Sequence, residues 1–441
     1  MRPRGCWVGW FGWVSIAGAM LLSIGLAPWA SAGPGDLDTS FGEYGQVLTD
    51  FGVRAKGTAI AIQSDGRIVV AGRTRGSRFT TEQADFAVAR YLPDGKLDPT
   101  FGADGLVTTD ISGQIDSASQ VLLQPDGKII VAGTGDRTAA SEPISDFAVI
   151  RYTADGRLDQ GFGTDGKVTT DFGFTEAVLA LALQSDGKIV AGGYSFDDPG
   201  DGPSFSALAR YNSDGSLDAS FGTDGTVLTP GGEVMALSIQ PDDRILVVGG
   251  GCCSKVGEYV FRLARYYPDG SLDTSFGDQG FVTTHTIRFQ GPFSDAVVFG
   301  ADGSIFAAGF QHYSNERCSC NAFAVVKLSP LGNLDSSFGH DGEVQTIIGS
   351  SSYANAVAVL ADGKVVAAGF AFPYGGGLGK FAVVRYNADG SRDQTFGRHG
   401  KVVTQFGRRP AKAAAVGIDA DGRAIVAGIA GRQFASARYL G

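Results

Sequence analysis

Five polar side chains stand near the starts of recurring apolar segments: Asp116, Glu176, Glu233, Asp295 and Asn355. Gathered at one channel mouth they would offer the all-oxygen ligand set of a hard divalent cation, and with it the chemistry of a lactonase-like, cation-dependent hydrolase or lyase. Asp116 and Glu176 keep the same distance from the Asp-Gly pair that follows them, but the five do not share one distance, so the set is loose. The four histidines, His285, His312, His340 and His399, are scattered without ligand spacing. No Gly-x-Ser-x-Gly elbow, His-Glu-x-x-His pair or phosphate loop occurs. Catalysis thus has no residue-level support, and no cofactor is expected beyond that cation.

A second set could recognise rather than react. Phe79, Tyr194, Phe196, His312, Tyr313, Phe372 and Tyr374 lie among Gly, Ser and Asp in segments that differ from one part of the chain to the next. Rings mixed with small polar residues suit a sugar or peptide surface. The plainer alternative is that they pin their own loops. Cys252, Cys253, Cys318 and Cys320 form an even set in which three disulfide pairings are open, once Cys6 has left with the leader described below. A zinc site is the competing reading, but an adjacent pair and a one-residue gap do not match the usual two-to-four spacing.

The elements that must position these residues are repeats. Phe-Gly recurs at Phe41, Phe101, Phe162, Phe221, Phe276, Phe338 and Phe396, at intervals of 60, 61, 59, 55, 62 and 58 residues. In step with it run seven copies of a segment like Phe86 to Tyr91 and of a turn-plus-strand like Asp65 to Gly72, with Pro241-Asp242-Asp243 as the degenerate copy. Each unit parses into four short strands: a (Ala59 to Gln63), b (Arg67 to Ala71), c (Asp85 to Tyr91) and d (Leu106 to Thr109). Asp-Gly between a and b is the pair a tight hairpin with positive φ demands. Between c and d, Leu97 to Gly102 reads as a capped helical turn whose Leu and Phe plug the sheet. Four antiparallel strands repeated seven times predict an all-β, seven-bladed β-propeller of four-stranded blades over residues 33–441. A linear β-solenoid is the alternative, although its turns are shorter than 60 residues and lack repeated hairpins.

These motifs carry a resemblance. Gln-Ser/Pro-Asp-Gly-Lys-Ile-x-Val-Ala-Gly followed by Phe-Ala-Val-x-Arg-Tyr-x-x-Asp-Gly-x-Leu-Asp-x-x-Phe-Gly resembles the delta-60 repeat of bacterial, mostly exported proteins, over about residues 36 to 441. The layout is also similar to NHL-type propeller repeats. The resemblance implies a propeller in surface or secreted proteins, with binding a commoner role than catalysis and no general activity for the family. The fourth copy departs at Asp242-Asp243, and the fifth at Lys327-Leu328 and in lacking the following Asp-Gly.

Residues present in every copy are best explained by what every blade needs. Arg90, Arg151, Arg210, Arg265, Lys327 and Arg385 are each followed eight residues later by Asp98, Asp159, Asp218, Asp273, Asp335 and Asp393, which predicts an intrablade pair or a cap. A calcium loop is the other reading, but the EF-hand order of ligands is absent. Recognition is expected instead in the variable b-to-c loops: 73–84, 134–145, 193–204, 250–260, 310–322 and 370–380. The seventh Arg, Arg438, has no Asp after it, and the missing plug and strand d stand at the front, as Leu37 to Gly42 and Gln46 to Thr49. The N-terminal strand is therefore expected to complete the last blade, with Asp38 turned to Arg438 in an exposed pair.

Composition sets the compartment and excludes some partners. The chain has 441 residues, 66 of them Gly, and a formal charge of −10, which repels nucleic acid and anionic membranes. Arg2 and Arg4, an apolar run from Trp7 to Leu26, and Ala30-Ser31-Ala32 read as a signal peptide (residues 1–32) cleaved after Ala32. An uncleaved anchor is the alternative. The expectation is a secreted, periplasmic or cell-surface monomer, off the membrane once cleaved. Its ligand would be an extracellular glycan, protein or peptide bound through the b-to-c loops without catalysis.

Overall fold

The computed structural model describes residues 32–75, 83–139, 142–196, 204–252, 259–284, 297–315 and 318–441. The expected leader and Phe79 lie outside them. Within them the chain forms 28 strands in seven antiparallel sheets and no helix. One strand, β1 (Gln46–Thr49), precedes the first complete blade. Blade one is β2 (Arg54–Ile62), β3 (Ile68–Arg75), β4 (Phe86–Tyr91) and β5 (Leu106–Thr109). Blade two is β6 (Asp116–Leu123), β7 (Ile129–Ala139), β8 (Glu142–Tyr152) and β9 (Lys167–Thr170). Blade three is β10 (Thr175–Leu183), β11 (Ile189–Phe196), β12 (Ser204–Tyr211) and β13 (Thr226–Pro230). Blade four is β14 (Ala236–Ile239), β15 (Ile245–Cys252), β16 (Tyr259–Tyr266) and β17 (Phe281–Thr284). Blade five is β18 (Val297–Phe299), β19 (Ile305–Asn315), β20 (Cys318–Leu328) and β21 (Glu343–Thr346). Blade six is β22 (Ser351–Val359), β23 (Val365–Phe372), β24 (Lys380–Tyr386) and β25 (Lys401–Thr404). Blade seven is β26 (Ala411–Ile418), β27 (Ala424–Ala430) and β28 (Gln433–Tyr439), and its fourth strand is β1.

The ring closes as the frame of the repeats predicts. β1 pairs with β28, Gln46 opposite Ala437 and Thr49 opposite Phe434, and Phe41 is fully buried beside them. Asp38 accepts a hydrogen bond from Arg438 Nε at 2.9 Å, the distance at which Asp98 accepts one from Arg90. Both members of the closing pair are buried, at 7 % and 3 % exposure, so the pair is not the exposed one expected. Breaking such a pair leaves a charge stranded at low dielectric, a cost of about 3–5 kcal/mol against ~0–1 kcal/mol for a surface pair.

The repeated residues build one end of every blade. Asp98 caps its turn through Oδ1, accepting from the Thr100 N–H at 3.0 Å, while Oδ2 takes Arg90 and Arg67. Burial opposes ionisation of Asp98, but the Thr100 hydrogen bonds and the two cations hold its carboxyl at about 2. The segment is a hydrogen-bonded turn rather than the helical turn expected; its Phe101 is fully buried and Leu97 packs half-buried against a core cluster. Arg90 lies 4.6 Å over the Phe101 ring and donates to the Ala154 carbonyl of the next blade. Tyr152 Oη of that blade meets Thr109 Oγ1 at 2.7 Å. Gly156 packs where a Cβ would press on the Phe101 ring, and the Gly102 N–H bonds the Asp155 carbonyl at 2.8 Å. At the degenerate turn of blade four Asp243 itself takes φ 61° and keeps the bond to the Gln240 carbonyl.

Between blades the core is apolar on both faces of each sheet. Ile130 and Val149 of blade two pack on Val178 and Ile189 of blade three, and comparable clusters fill the other seams. Burial of this kind contributes about 25 cal/mol per Å² and fixes the sheets as rigid supports.

Candidate ligand face

Register puts one class of connection at each end of the ring. Arg54 at the start of β2 lies opposite Arg75 at the end of β3, and Phe86 at the start of β4 opposite Thr109 at the end of β5. Inner-strand starts, b-to-c hairpins and d-to-a links therefore share one face, and the Asp-Gly and Phe-Gly turns share the other. Two of the expected loops are strand instead: 134–145 is largely taken up by β7 and β8, and 310–322 by β19 and β20.

The inner strands carry a bulge just inside the loop face. The ladder to the second strand slips at 57/59, 118/120, 178/180, 354/356 and 413/415. The bulged side chain bonds the next inner strand: Thr58 Oγ1 donates to the Ala118 carbonyl at 2.8 Å, and Asn355 Nδ2 to the Ala413 carbonyl at 2.6 Å. Just before the bulge, a carbonyl presses so closely on the second strand that a Cβ opposite would overlap it. This is why the second strands carry Gly72, Gly133, Gly193, Gly369 and Gly428 at this point. Gly249 faces the Glu233 carbonyl in the same way. The six carbonyls belong to Lys56, Ser117, Ala177, Glu233, Tyr353 and Lys412, one backbone position in six blades. The stretch before β18 in blade five, with Asp295, lies outside the described residues.

The candidate cation ligands separate on this frame. Asp116 and Glu176 occupy the same position, opposite Gly135 and Ser195, Glu233 sits one step later, and Asn355 is a bulge residue. Asp116 gathers with Asp85 and Asp110, and Glu176 with Asp146 and Asp171, at two successive seams; within each group carboxylate oxygens lie within 4.8 Å of one another. Asp116 is fully buried and accepts from the Ile111 N–H at 2.7 Å and from Ser112 Oγ at 2.8 Å. Glu176, also fully buried, accepts from the Phe174 N–H at 2.8 Å and from Ser195 Oγ at 3.2 Å. Desolvation pushes Glu176 up to about 7, with Asp146 and Asp171 adding to the rise, and by burial alone Glu233 to about 7. Burial and the charge of Asp116 raise Asp136 to about 6. Sequence reasoning missed Asp85, Asp110, Asp136, Asp146 and Asp171. The repetition of Asp before Phe86 and Phe147, and after Thr109 and Thr170, was the signal available.

A cationic sector adjoins this acidic one. Lys56 stands opposite Arg73 and Arg54 opposite Arg75 across β2 and β3. Burial, then Arg73 and Lys412, hold Lys56 below the ordinary lysine range. Lys412 Nζ lies 4.5 Å over the Phe370 ring, which stacks on Tyr353 at 4.9 Å. Of the expected aromatic contacts, Phe372 packs edge-on against Phe370 at 5.7 Å and Tyr194 lies 4.5 Å from Phe196, so these three rings are anchored. Tyr374 is 74 % exposed. The backbone places His312 and Tyr313 on β19, Cys252 at the end of β15, and Cys318 and Cys320 at the start of β20; Cys320 is buried. Cys253 lies outside the described residues. Deeper in the channel, Ile60, Leu181, Leu237, Val298, Val357 and Val416 line a cavity of about 180 Å³, so the described charged groups of this face stand at its mouth.

The family model described as "Domain of unknown function (DUF5122) beta-propeller" matches residues 63–101, 124–162, 184–221, 240–276 and 360–396. The chain is a β-propeller repeat protein. No curated protein matches it. Among solved structures it is similar to Drosophila Plexin A in complex with Semaphorin 1b, at 11 % identity over 89 % of this chain and 86 % of that one, TM-score 0.41. It is also similar to YCF48 bound to D1 peptide (11 % identity, 94 % and 100 % covered, TM-score 0.45) and to a glucose dehydrogenase (10 % identity, 90 % and 99 % covered, TM-score 0.40). Among the described residues no helix is long and apolar enough to cross a membrane.

Proposed function

We propose that this propeller is an exported, non-catalytic binding module of the delta-60 type, which recognises an extracellular glycan or peptide with its loop face. One observation carries the reading. At a backbone position defined by the same facing glycine, six blades carry Lys56, Ser117, Ala177, Glu233, Tyr353 and Lys412. A structural requirement would repeat one residue there, as it repeats Arg and Asp at the turn face. Variation on a rigid, repeated support is how loops come to carry recognition. Exposed Tyr374 adds an aromatic contact to the same face.

The test is a glycan and peptide binding screen with the purified protein. A ligand is expected whose affinity falls in Tyr374→Ala and is unchanged in Lys96→Gln on the turn face. Binding that depends on the turn face, or no binding to either class, would overturn the reading. A cation-dependent hydrolase or lyase is the second reading, drawn from the grouping of Asp85, Asp110 and Asp116. Metal analysis separates the two: a stoichiometric divalent ion lost in Asp116→Ala favours the enzyme.

A further inference from the structure

The cations of the molecule fall into two populations. At the turn face Arg67, Arg90, Lys128, Arg151, Lys188 and Arg210 each lie within 4.0 Å of a carboxylate. At the loop face Arg54, Lys56, Arg73, Arg75 and Lys412 form no ion pair among the described residues, in a chain with 46 carboxylates against 36 Lys and Arg. They are instead set against one another. Lys56 faces Arg73 and Arg54 faces Arg75 as successive cross-strand pairs, and Lys412 occupies in blade seven the position Lys56 occupies in blade one. Like charges directly opposite each other on a sheet destabilise it, and the half-burial of Lys56 and Arg73 adds a desolvation cost. Nothing in the fold requires this arrangement, because four other blades fill the Lys56 position with Ser, Ala, Glu or Tyr.

We propose that the channel mouth between the last and first blades is an oxyanion subsite, built from Lys56, Arg73 and Lys412, that takes the carboxylate or sulfate groups of an acidic glycan. The inference rests on the loop face being the ligand face. An anion there replaces repulsion among three cations with charge-assisted hydrogen bonds, of which the Arg73 guanidinium offers a bidentate pair. The sugar ring is served next door, where Tyr353 stacks on Phe370 and Tyr374 is exposed. Sparse charge fits better than the continuous phosphates of nucleic acid, since Asp85, Asp110, Asp116 and Asp136 gather at the neighbouring seam and repel a uniform polyanion.

The test measures binding of four probes to the whole purified protein by calorimetry: oligogalacturonate, its carboxyl-reduced counterpart, a sulfated heparin oligosaccharide and poly-glutamate. An acidic oligosaccharide is expected to bind about tenfold or more tighter than the reduced one, with affinity falling as salt rises. Oligogalacturonate carries carboxylates alone, so its binding assigns carboxylate, and binding of heparin without it assigns sulfate as the group taken. Lys56→Gln and Arg73→Gln should each lose about tenfold in affinity, while the melting midpoint holds or rises as repulsion is relieved. Arg157→Gln, on the turn face, should lose nothing. Equal binding of the acidic and reduced sugars, with Tyr374→Ala still weakening both, overturns the subsite and leaves the glycan-binding reading standing. Preference for poly-glutamate overturns the glycan class, and absence of binding by all four overturns the subsite.

Discussion

The two faces of the ring use the same residue types for opposite purposes. On the turn face a blade's arginine is enclosed: Arg385 bonds Asp393 at 2.8 Å, lies 4.5 Å over Phe396 and is 3 % exposed. On the loop face Arg73 and Lys412 have cations or rings as described neighbours and stand at a channel mouth. The turn face binds each blade to the next, so its residues must recur. The loop face is relieved of that duty and its residues differ. Blade five shows what a lapse on the turn face costs. Lys327 keeps the ion pair with Asp335 at 2.8 Å, but Leu328 replaces the tyrosine that would latch blade four, and Leu331, where the Asp of Asp-Gly would stand, is 60 % exposed.

Four substitutions test this division, from the largest expected effect to the smallest. Arg385→Ala should destabilise the protein by about 3–5 kcal/mol in urea melts, because buried Asp393 then keeps only Lys364, at 3.1 Å, as a cation and Phe396 loses the guanidinium over its ring. A loss below ~1 kcal/mol would place the turn face on the same footing as the loop face. Glu176→Gln should act in the other direction. The folded chain holds this proton up to about 7 whereas the unfolded chain releases it near 4.5, so stability falls as pH rises between those values. The variant should gain about 1–3 kcal/mol at pH 8 and little at pH 4, read from melts at the two values. For Tyr386→Phe, which loses the bond to Thr346 Oγ1 at 2.8 Å, about 0.5–1.5 kcal/mol is expected. Lys412→Gln should lie within ~0.5 kcal/mol of the parent in thermal melts, and a larger loss would mean that the loop face also holds the ring together.

The architecture was legible because its determinants are local and repeated. Asp-Gly fixes a turn, alternation fixes a strand, and seven copies in step fix a ring whose closure follows from the order of Asp38, Phe41 and Arg438. The burial of the Arg–Asp pairs was not legible, because the atoms that cover Arg90, the Ala154 carbonyl among them, belong to the following blade. The acidic groups were half legible for a similar reason. Asp116 and Glu176 were found from their own repeat, but Asp85 and Asp110 reach Asp116 from the preceding blade. The hairpins at 134–145 and 310–322 read as loops because Gly, Ser and Asp in the first and Ser, Asn and Glu in the second mask a pairing that is decided by the opposite strand.

The closure of blade seven gives this molecule an unusual assembly order. Asp38 and Arg438 are 400 positions apart in sequence, so β1 emerges from the ribosome long before its partner exists. Its four residues cannot nucleate anything and must stay unsatisfied while six blades accumulate, each able to form from contacts within about sixty residues. Joining the ends is then the step of highest contact order, and it covers the edge of β28 with β1 as the outer strand of the last blade. Until that step the exposed edge of β28 is a template for another chain's strand, and the aggregation hazard of this protein is concentrated in the interval before its first strand comes home.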